Sequence, residues 1–413
     1  MNKIKLHWQI IICMIIGTFI GLYFNHNGFS DNIVYNFLVL LADIFIRLLK
    51  MVIVPLIFTS IIVGVSSINN RAKIGRLGGK TLFYYICTSL VAILIGLSLA
   101  NIIEPGAGAS TLKDIGAFDT SKLNTSSSVV DILKRMIPLN PISALASGDI
   151  LGIIFFAIFF GIMLSFVETK HSVVIKGFVE SIYQVIMKMT QIVIACAPIG
   201  VLGLMVRTVS NTGLSVFKEL SLYAITIAMG LSFHLFLILP IILIVFVKVN
   251  PIKHFKAMAP AMVTAFSTSS SSATLPVTMK CVNENVKASN EVTSFVIPMG
   301  ATINMDGTAL YECAGVLFIA QALGIPLDAS QQFIVVITAL LASIGAAGIP
   351  SAGLVMLFIV TDAVGLQSDA VALWVGSMLA IDRPLDMFRT MVNISSDSVG
   401  AAVIAKSEGE DLY

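Results

Sequence analysis

Charge is scarce in this chain. Asp, Glu, Lys and Arg make up 12% of its 413 residues, roughly half the share of a soluble domain. Hydrophobic residues make up 57%. That imbalance excludes an ordinary soluble domain and implies a protein whose partner is the lipid bilayer. The formal net charge of +2 offers no basic surface, so no nucleic-acid partner is expected. The five cysteines, Cys13, Cys87, Cys196, Cys281 and Cys313, lie scattered in apolar stretches without C-x-x-C spacing. This excludes a disulfide framework or a zinc site and leaves buried small hydrophobes. No small-residue cleavage signature follows Lys3 and Lys5, so the first apolar run reads as a transmembrane helix and not a removed signal peptide. No histidine stands near the serine run at 267–272, and no paired-aspartate motif occurs, which removes an intramembrane protease. No ring of pore charges suggests a channel. No enzyme activity and no organic cofactor are expected.

What the chain does have is apolar length. About 20 apolar residues span a bilayer core, and full-length candidates fall at roughly 8–24, 34–66, 81–103, 148–167, 178–206, 218–247, 292–323 and 370–404. Lys3 and Lys5 place the N-terminus in the cytoplasm. After each further pair of crossings a basic cluster returns: a loop with Arg71, Lys73, Arg76 and Lys80, then Lys170 and Lys176, then Lys248, Lys253 and Lys256. Lys280 and Lys287 follow the segment 257–279. That segment therefore has cytoplasmic charge at both ends, which implies a re-entrant hairpin with the serines at its tip. Residues 331–362 are broken by IGAAGIPSAG (344–353) and flanked by stretches without Lys or Arg. They read as a second hairpin entering from outside. Two opposed hairpins, each preceding a helix with buried polar residues, are the signature of an inverted repeat with a midplane site. The fold class expected is an all-α membrane protein of eight transmembrane helices plus two re-entrant helical hairpins. The stretch 104–146 reads as an external insertion.

The last span carries Asp382, Asp386, Arg389, Asn393 and Asp397 at spacings of 4, 3, 4 and 4, a stripe about 80° wide with Thr390 at its border. Each uncompensated charge at the bilayer centre costs ~2.5–3.5 kcal/mol. A substrate and ion path explains the whole stripe. An internal ladder, Asp382–Arg389–Asp386, explains three of its members and leaves Asn393 and Asp397 without a reason. Arg383 lies off the stripe, as a cavity wall or a neighbour's partner. Pro384 is expected to distort the turn before Asp386.

INMDGTALYE (303–312) behaves differently. Asn304, Asp306 and Thr308 alternate with period two, bracketed by Gly300 and Gly307. They read as a helix break, with Gly307 permitting it and oxygens facing inward as a cage for a hard cation. Asp306 also reads as a partner for Arg389. Glu312, one turn beyond Thr308, is a candidate proton carrier or a structural acid. Tyr85, Thr88 and Ser89 share one face of an earlier helix. Asp43, Arg47 and Lys50 read as an ion-pair stripe, and His234 as structural.

Four motifs in order, SSSSATLP (269–276), NMDGT (304–308), GAAGIPSAG (345–353) and the Asp382–Asp397 helix, resemble the glutamate/aspartate transporter family, the dicarboxylate/amino acid:cation symporters. The resemblance runs over nearly the whole chain and is densest from 257 to 406. It implies a homotrimer working as an elevator in the inner (plasma) membrane, with both termini cytoplasmic. In each protomer a transport domain slides on a scaffold. Residues 1–80 and 128–256 would form mainly the scaffold, with 104–127 an external loop. Residues 257–413 would form the core transport domain, joined by 81–103.

The resemblance further implies an acidic amino acid substrate. Arg389 would take its side-chain carboxylate and Asp386 its ammonium. Thr308 and Asn393 would hydrogen-bond it, and Ser270, Ser271, Ile349 and Gly353 at the two tips would offer backbone groups. Three Na+ sites are implied. One would use Gly300, Asn304, Asn393 and Asp397. A second would use the backbone of Thr302, Ser343, Ile344 and Ala346. A third would use Tyr85, Thr88, Ser89, Asn304 and Asp306. Glu312 resembles the proton-carrying acid of the animal members, so H+ is a further candidate ion. Ser269 stands where some archaeal members carry Arg, and Arg383 would supply that charge here. Ala346 replaces a Thr at a position that contributes backbone. Plain C4-dicarboxylate carriers would not need Asp386, and neutral amino acid carriers lack the Arg.

Overall fold

The computed structural model describes residues 6–28, 32–66, 71–109, 137–147, 150–164, 166–345, 352–366 and 369–413. Among them the chain is helix and loop only. The first helices are α1 (Leu6–Asn27), α2 (Ile33–Ser66) and α3 (Arg71–Ile103), followed by a short α4 (Pro141–Ser147) and by α5 (Ile150–Leu164). The stretch read from sequence as a basic loop, Arg71 to Lys80, is instead the opening of α3. Arg, Lys, Leu and Ala there are good helix formers with no proline among them.

The span expected at 178–206 is two helices, α6 (Thr169–Ala195) and α7 (Ala197–Thr212). The segments Thr169–Val193 and Ala197–Asn211 are bent by 51°. Pro198 in the first turn of α7 removes the amide that would continue α6. Then comes α8 (Ser215–Phe233), which runs on as a π-helix over His234–Ile238 and, past one α-turn, over Leu243–Val247.

Next are α9 (Pro251–Thr268) and α10 (Ser271–Lys280), packed on each other around a two-residue tip. Ser269 takes a left-handed conformation, φ 52°, and Ser270 is extended and caps α10 by accepting from Ala273 N at 3.2 Å. The turn is thus closed by serine chemistry instead of glycine. After α11 (Asn290–Ile303) and α12 (Asp306–Ala322) come α13 (Ala329–Gly345), α14 (Ala352–Ala363) and the 39-residue α15 (Asp369–Ser407). Pro384 lies inside α15, and the helix continues through it.

Among the described residues, three helices are long and apolar enough to cross a membrane: Trp8–Asn27, Leu77–Ile103 and Ser215–Val247. The bent α6–α7 pair makes a fourth if counted as one span. Two of the remaining expected spans fail that test for visible reasons. The 292–323 span is broken between α11 and α12, and α5 is 15 residues long. Packing forms two groups. α1 lies on α7, and α2 lies on α5, α6 and α7. In the other group α3 packs on α12, while α15 gathers α8, α9, α11, α12 and α14.

At one end the C-terminal segment ties the second group together. Lys80 bridges to Glu408 at 2.7 Å, and Glu410 accepts from both the backbone and the hydroxyl of Ser289 at 2.7 and 2.5 Å. Tyr413 N donates to Val286 O at 3.1 Å and its hydroxyl bonds His254.

Candidate functional site

The site begins where α11 stops. Asn304 (φ −98°, ψ 85°) and Met305 (φ −117°, ψ 58°) leave the helical region, and α12 restarts at Asp306. Gly307 therefore lies in the first turn of α12 and not at the break, which corrects the reading from sequence. Its missing side chain serves a close approach. A Cβ there would stand 2.9 Å from Arg389 O and 3.1 Å from its Cα, so only glycine lets α12 touch the α15 backbone. The restarted helix has free amides at its N-terminus. Asn393 Oδ1 accepts one of them, from Gly307 N, at 2.8 Å. Asn393 Nδ2 donates to the Thr308 hydroxyl at 3.3 Å.

Arg389 is 1% exposed. Nη2 donates to Asp386 Oδ1 at 2.8 Å and to Asp382 Oδ1 at 3.0 Å. The internal ladder weighed from sequence is thus present. It uses Nη2, which carries two of the five N–H donors of the guanidinium fork, and leaves Nε and Nη1 buried without a partner among the described residues. The flat face of the guanidinium lies 3.9 Å from the Tyr311 ring centroid, a cation–π contact. Tyr311 is backed by Tyr223 (6.0 Å between centroids), then Phe318 (4.7 Å), then Trp374 edge-on (5.2 Å). Such pairs contribute ~0.5–1.5 kcal/mol each beyond area and hold the arginine's platform rigid. A Cβ at Gly353 would stand 2.7 Å from Nη1. Arg383 Nη1 is 3.7 Å from Asp386 Oδ2.

Asp306 does not pair with Arg389. Its Oδ1 accepts from the Ser89 hydroxyl at 2.7 Å. Its Oδ2 accepts from the Ser396 hydroxyl at 2.7 Å and contacts His234 Nε2 at 2.9 Å. Asn304 Nδ2 donates to Asp397 Oδ1 at 2.9 Å and to Ser396 Oγ at 3.0 Å, and the Thr88 hydroxyl reaches Asn304 Oδ1 at 3.3 Å. Tyr85 donates to Val296 O at 2.7 Å. A Cβ at Gly300 would collide with Asp397 Oδ1 and lie 2.7 Å from the Tyr85 hydroxyl. Thr88, Ser89, Asn304, Asp306 and Asp397 are therefore brought together through Ser396 and their own bonds as one buried oxygen-rich array across the break, with Tyr85 and Gly300 beside Asp397, while Asn393 bonds Gly307 and Thr308.

The helices that carry the second set, α11 and α13, pack on each other. The Thr302 hydroxyl bonds Met299 O at 3.0 Å and the Ser343 hydroxyl bonds Leu340 O at 2.9 Å, each on its own helix. Ile344 is half-buried at the end of α13, and Ala346 and Ile349 lie outside the described residues. Glu312 is fully buried, and neither carboxyl oxygen has a partner among the described residues. Ser270 and Ser271 are 8% and 5% exposed at the first tip. Asp43 pairs with Arg207 of α7 at 2.9 Å.

Three residues in contact with the site were not singled out as functional from sequence: Tyr311, His234 and Ser396. Tyr311 follows Thr308 at i+3 and Ser396 follows Asn393 at i+3, so helical phase alone puts both on the site's face. Phase cannot place His234, whose helix is far away in sequence.

Buried charges lodged at a helix break, inside an apolar helical assembly, define a membrane transport protein with a polar translocation site. The family model "Sodium:dicarboxylate symporter family" matches residues 6–407, and the chain belongs to that family. It is a transporter and not an enzyme. Human "Excitatory amino acid transporter 3" is 34% identical over 421 residues, covering 90% of this chain and 79% of the relative. The "Proton/glutamate-aspartate symporter" of Escherichia coli (strain K12) is 33% identical, covering 98% and 93%. The "Proton/sodium-glutamate symport protein" of Geobacillus stearothermophilus is 34% identical, covering 99% and 96%.

Proposed function

We propose that the chain is a secondary active symporter that imports L-glutamate and L-aspartate on the Na+ gradient, with a proton cotransported. One observation carries the reading. Arg389, dry and stacked on Tyr311, has Nε and Nη1 unengaged among the described residues, beside the carboxylate of Asp386. A fork of donors fits a side-chain carboxylate bidentately, and an anion one turn away fits an ammonium. A diacid without an ammonium would leave Asp386 facing a second carboxylate, and a neutral amino acid would leave the fork unanswered.

In this reading Thr308 and Asn393 hydrogen-bond the substrate, and Ser270, Ser271, Ile349 and Gly353 offer backbone from the two tips. Gly300, Asn304, Asn393 and Asp397 hold one Na+. Tyr85, Thr88, Ser89, Asn304 and Asp306 hold another. The carbonyls of Thr302, Ser343, Ile344 and Ala346 hold a third. Glu312 carries the proton. The protomer has eight spans and two re-entrant hairpins, α9–α10 from the cytoplasm and α13–α14 from outside, with both termini cytoplasmic in the inner (plasma) membrane. Three protomers assemble through the first packing group. Residues 81–103 and 257–413 move against it as an elevator, and the packing of α8 on α3, α12 and α15 supports its moving with them.

Uptake of radiolabelled L-aspartate, L-glutamate, succinate and L-serine into proteoliposomes tests this. Sodium-driven uptake of the two acidic amino acids is expected. Uptake of succinate or serine in their place, or uptake driven by a pH gradient and indifferent to sodium, would overturn it.

A further inference from the structure

His234 is fully buried, and its ring reaches across from α8 to Asp306, the acid placed above at a sodium site. The π-helical stretch of α8 begins at this residue. Such local widening of a helix is rare and is frequently found at functional sites. The pairing of donors on Asp306 is specific. Ser89 serves Oδ1, while His234 and Ser396 both serve Oδ2. A carboxylate oxygen has about two acceptor directions. Oδ2 is therefore saturated from two sides, and the remaining capacity of the group lies on Oδ1. That is the oxygen shared with Ser89, the neighbour in α3 of Thr88, which reaches Asn304 Oδ1.

We infer that His234 is a positioning residue for the cation site at Asp306. Its Nε2–H donates to Oδ2, fixes the carboxylate rotamer and turns Oδ1 toward the ion. The inference rests on the sodium-symport reading and adds to it a residue from α8 that contacts neither substrate nor ion. Partners of this kind behind an ion-binding group change ion affinity by about 10–100-fold when lost.

The test uses the full chain in proteoliposomes, with His234→Gln and His234→Asn compared against wild type. The amide nitrogen of Gln reaches about as far as Nε2 and that of Asn only as far as Nδ1, so both variants keep a polar side chain but only one keeps the bond. The readouts are the Na+ concentration for half-maximal L-aspartate uptake and, at saturating Na+, the half-saturating L-aspartate concentration. Expected are a rise in the Na+ value of about tenfold or more for His234→Asn, a value within about threefold of wild type for His234→Gln, and an unchanged L-aspartate value in both. Equal Na+ values for the two variants, or a shift in L-aspartate affinity matching the Na+ shift, overturn the inference while leaving the symporter reading intact. A wild-type protein whose uptake ignores Na+ overturns both.

Discussion

Gly353 and Arg389 meet so closely that a single methyl group at position 353 would stand 2.7 Å from Nη1 and 3.1 Å from Cζ. The same guanidinium lies over the Tyr311 ring, 3.9 Å from its centroid. Gly353→Ala should displace the fork from its acids. Overpacking of this kind costs ~1–3 kcal/mol, which predicts a loss of substrate affinity of roughly 5–150-fold. Isothermal titration of L-aspartate at saturating Na+ measures it. Unchanged affinity would show that the arginine has room.

Arg389→Cys should abolish uptake of acidic amino acids and leave or create uptake of neutral ones. It also takes the guanidinium away from the buried acids Asp382 and Asp386, of which Asp386 keeps Arg383 at 3.7 Å, a loss of ~3–5 kcal/mol. Adding Asp382→Asn in the same background should recover part of the melting temperature and none of the acidic-substrate uptake. If the double variant regains acidic uptake, Arg389 acts through folding and not through binding.

Asp397→Asn keeps an oxygen that can accept from Asn304 Nδ2 and removes the charge. The Na+ concentration for half-maximal uptake should rise by about tenfold or more, the equivalent of ~1.4 kcal/mol, since a charged partner is worth ~1.5–3 kcal/mol in such bonds. Sodium titration of uptake checks this, and an unaltered curve removes Asp397 from the ion site.

Glu312→Gln should leave substrate exchange across the membrane intact and flatten the pH dependence of net uptake. Gln has the same shape and carries no exchangeable acid proton. An unchanged pH profile would show that the proton travels elsewhere.

Much of this site could be read from the chain because membrane burial makes polar residues informative. The α15 stripe and the Asn304/Asp306/Thr308 alternation stand out against apolar neighbours, and both line the array. What sequence misplaced were matters of close contact. Gly307 reads as the hinge until the α15 backbone is seen against it. Asp306 reads as a partner for Arg389 until Ser89, His234 and Ser396 are found around it. These are contacts between helices 90 and 217 residues apart in the chain, and no local period encodes them. The bend at Cys196–Pro198 was carried by the proline and was overlooked because apolar residues continue through it.

The order of these contacts along the chain also bears on how the protein is made. Chains emerge N-terminus first, and an unaccompanied charge enters the bilayer at a cost. When Asp306 is synthesised, Ser89 and His234 already exist and can receive it; Ser396 arrives last. Arg389 follows Asp382 and Asp386 on its own helix, within about two turns, so α15 brings its counter-ions with it. Asp306 and Arg389 thus reach the membrane with partners already synthesised, so neither need enter lipid as a lone ion.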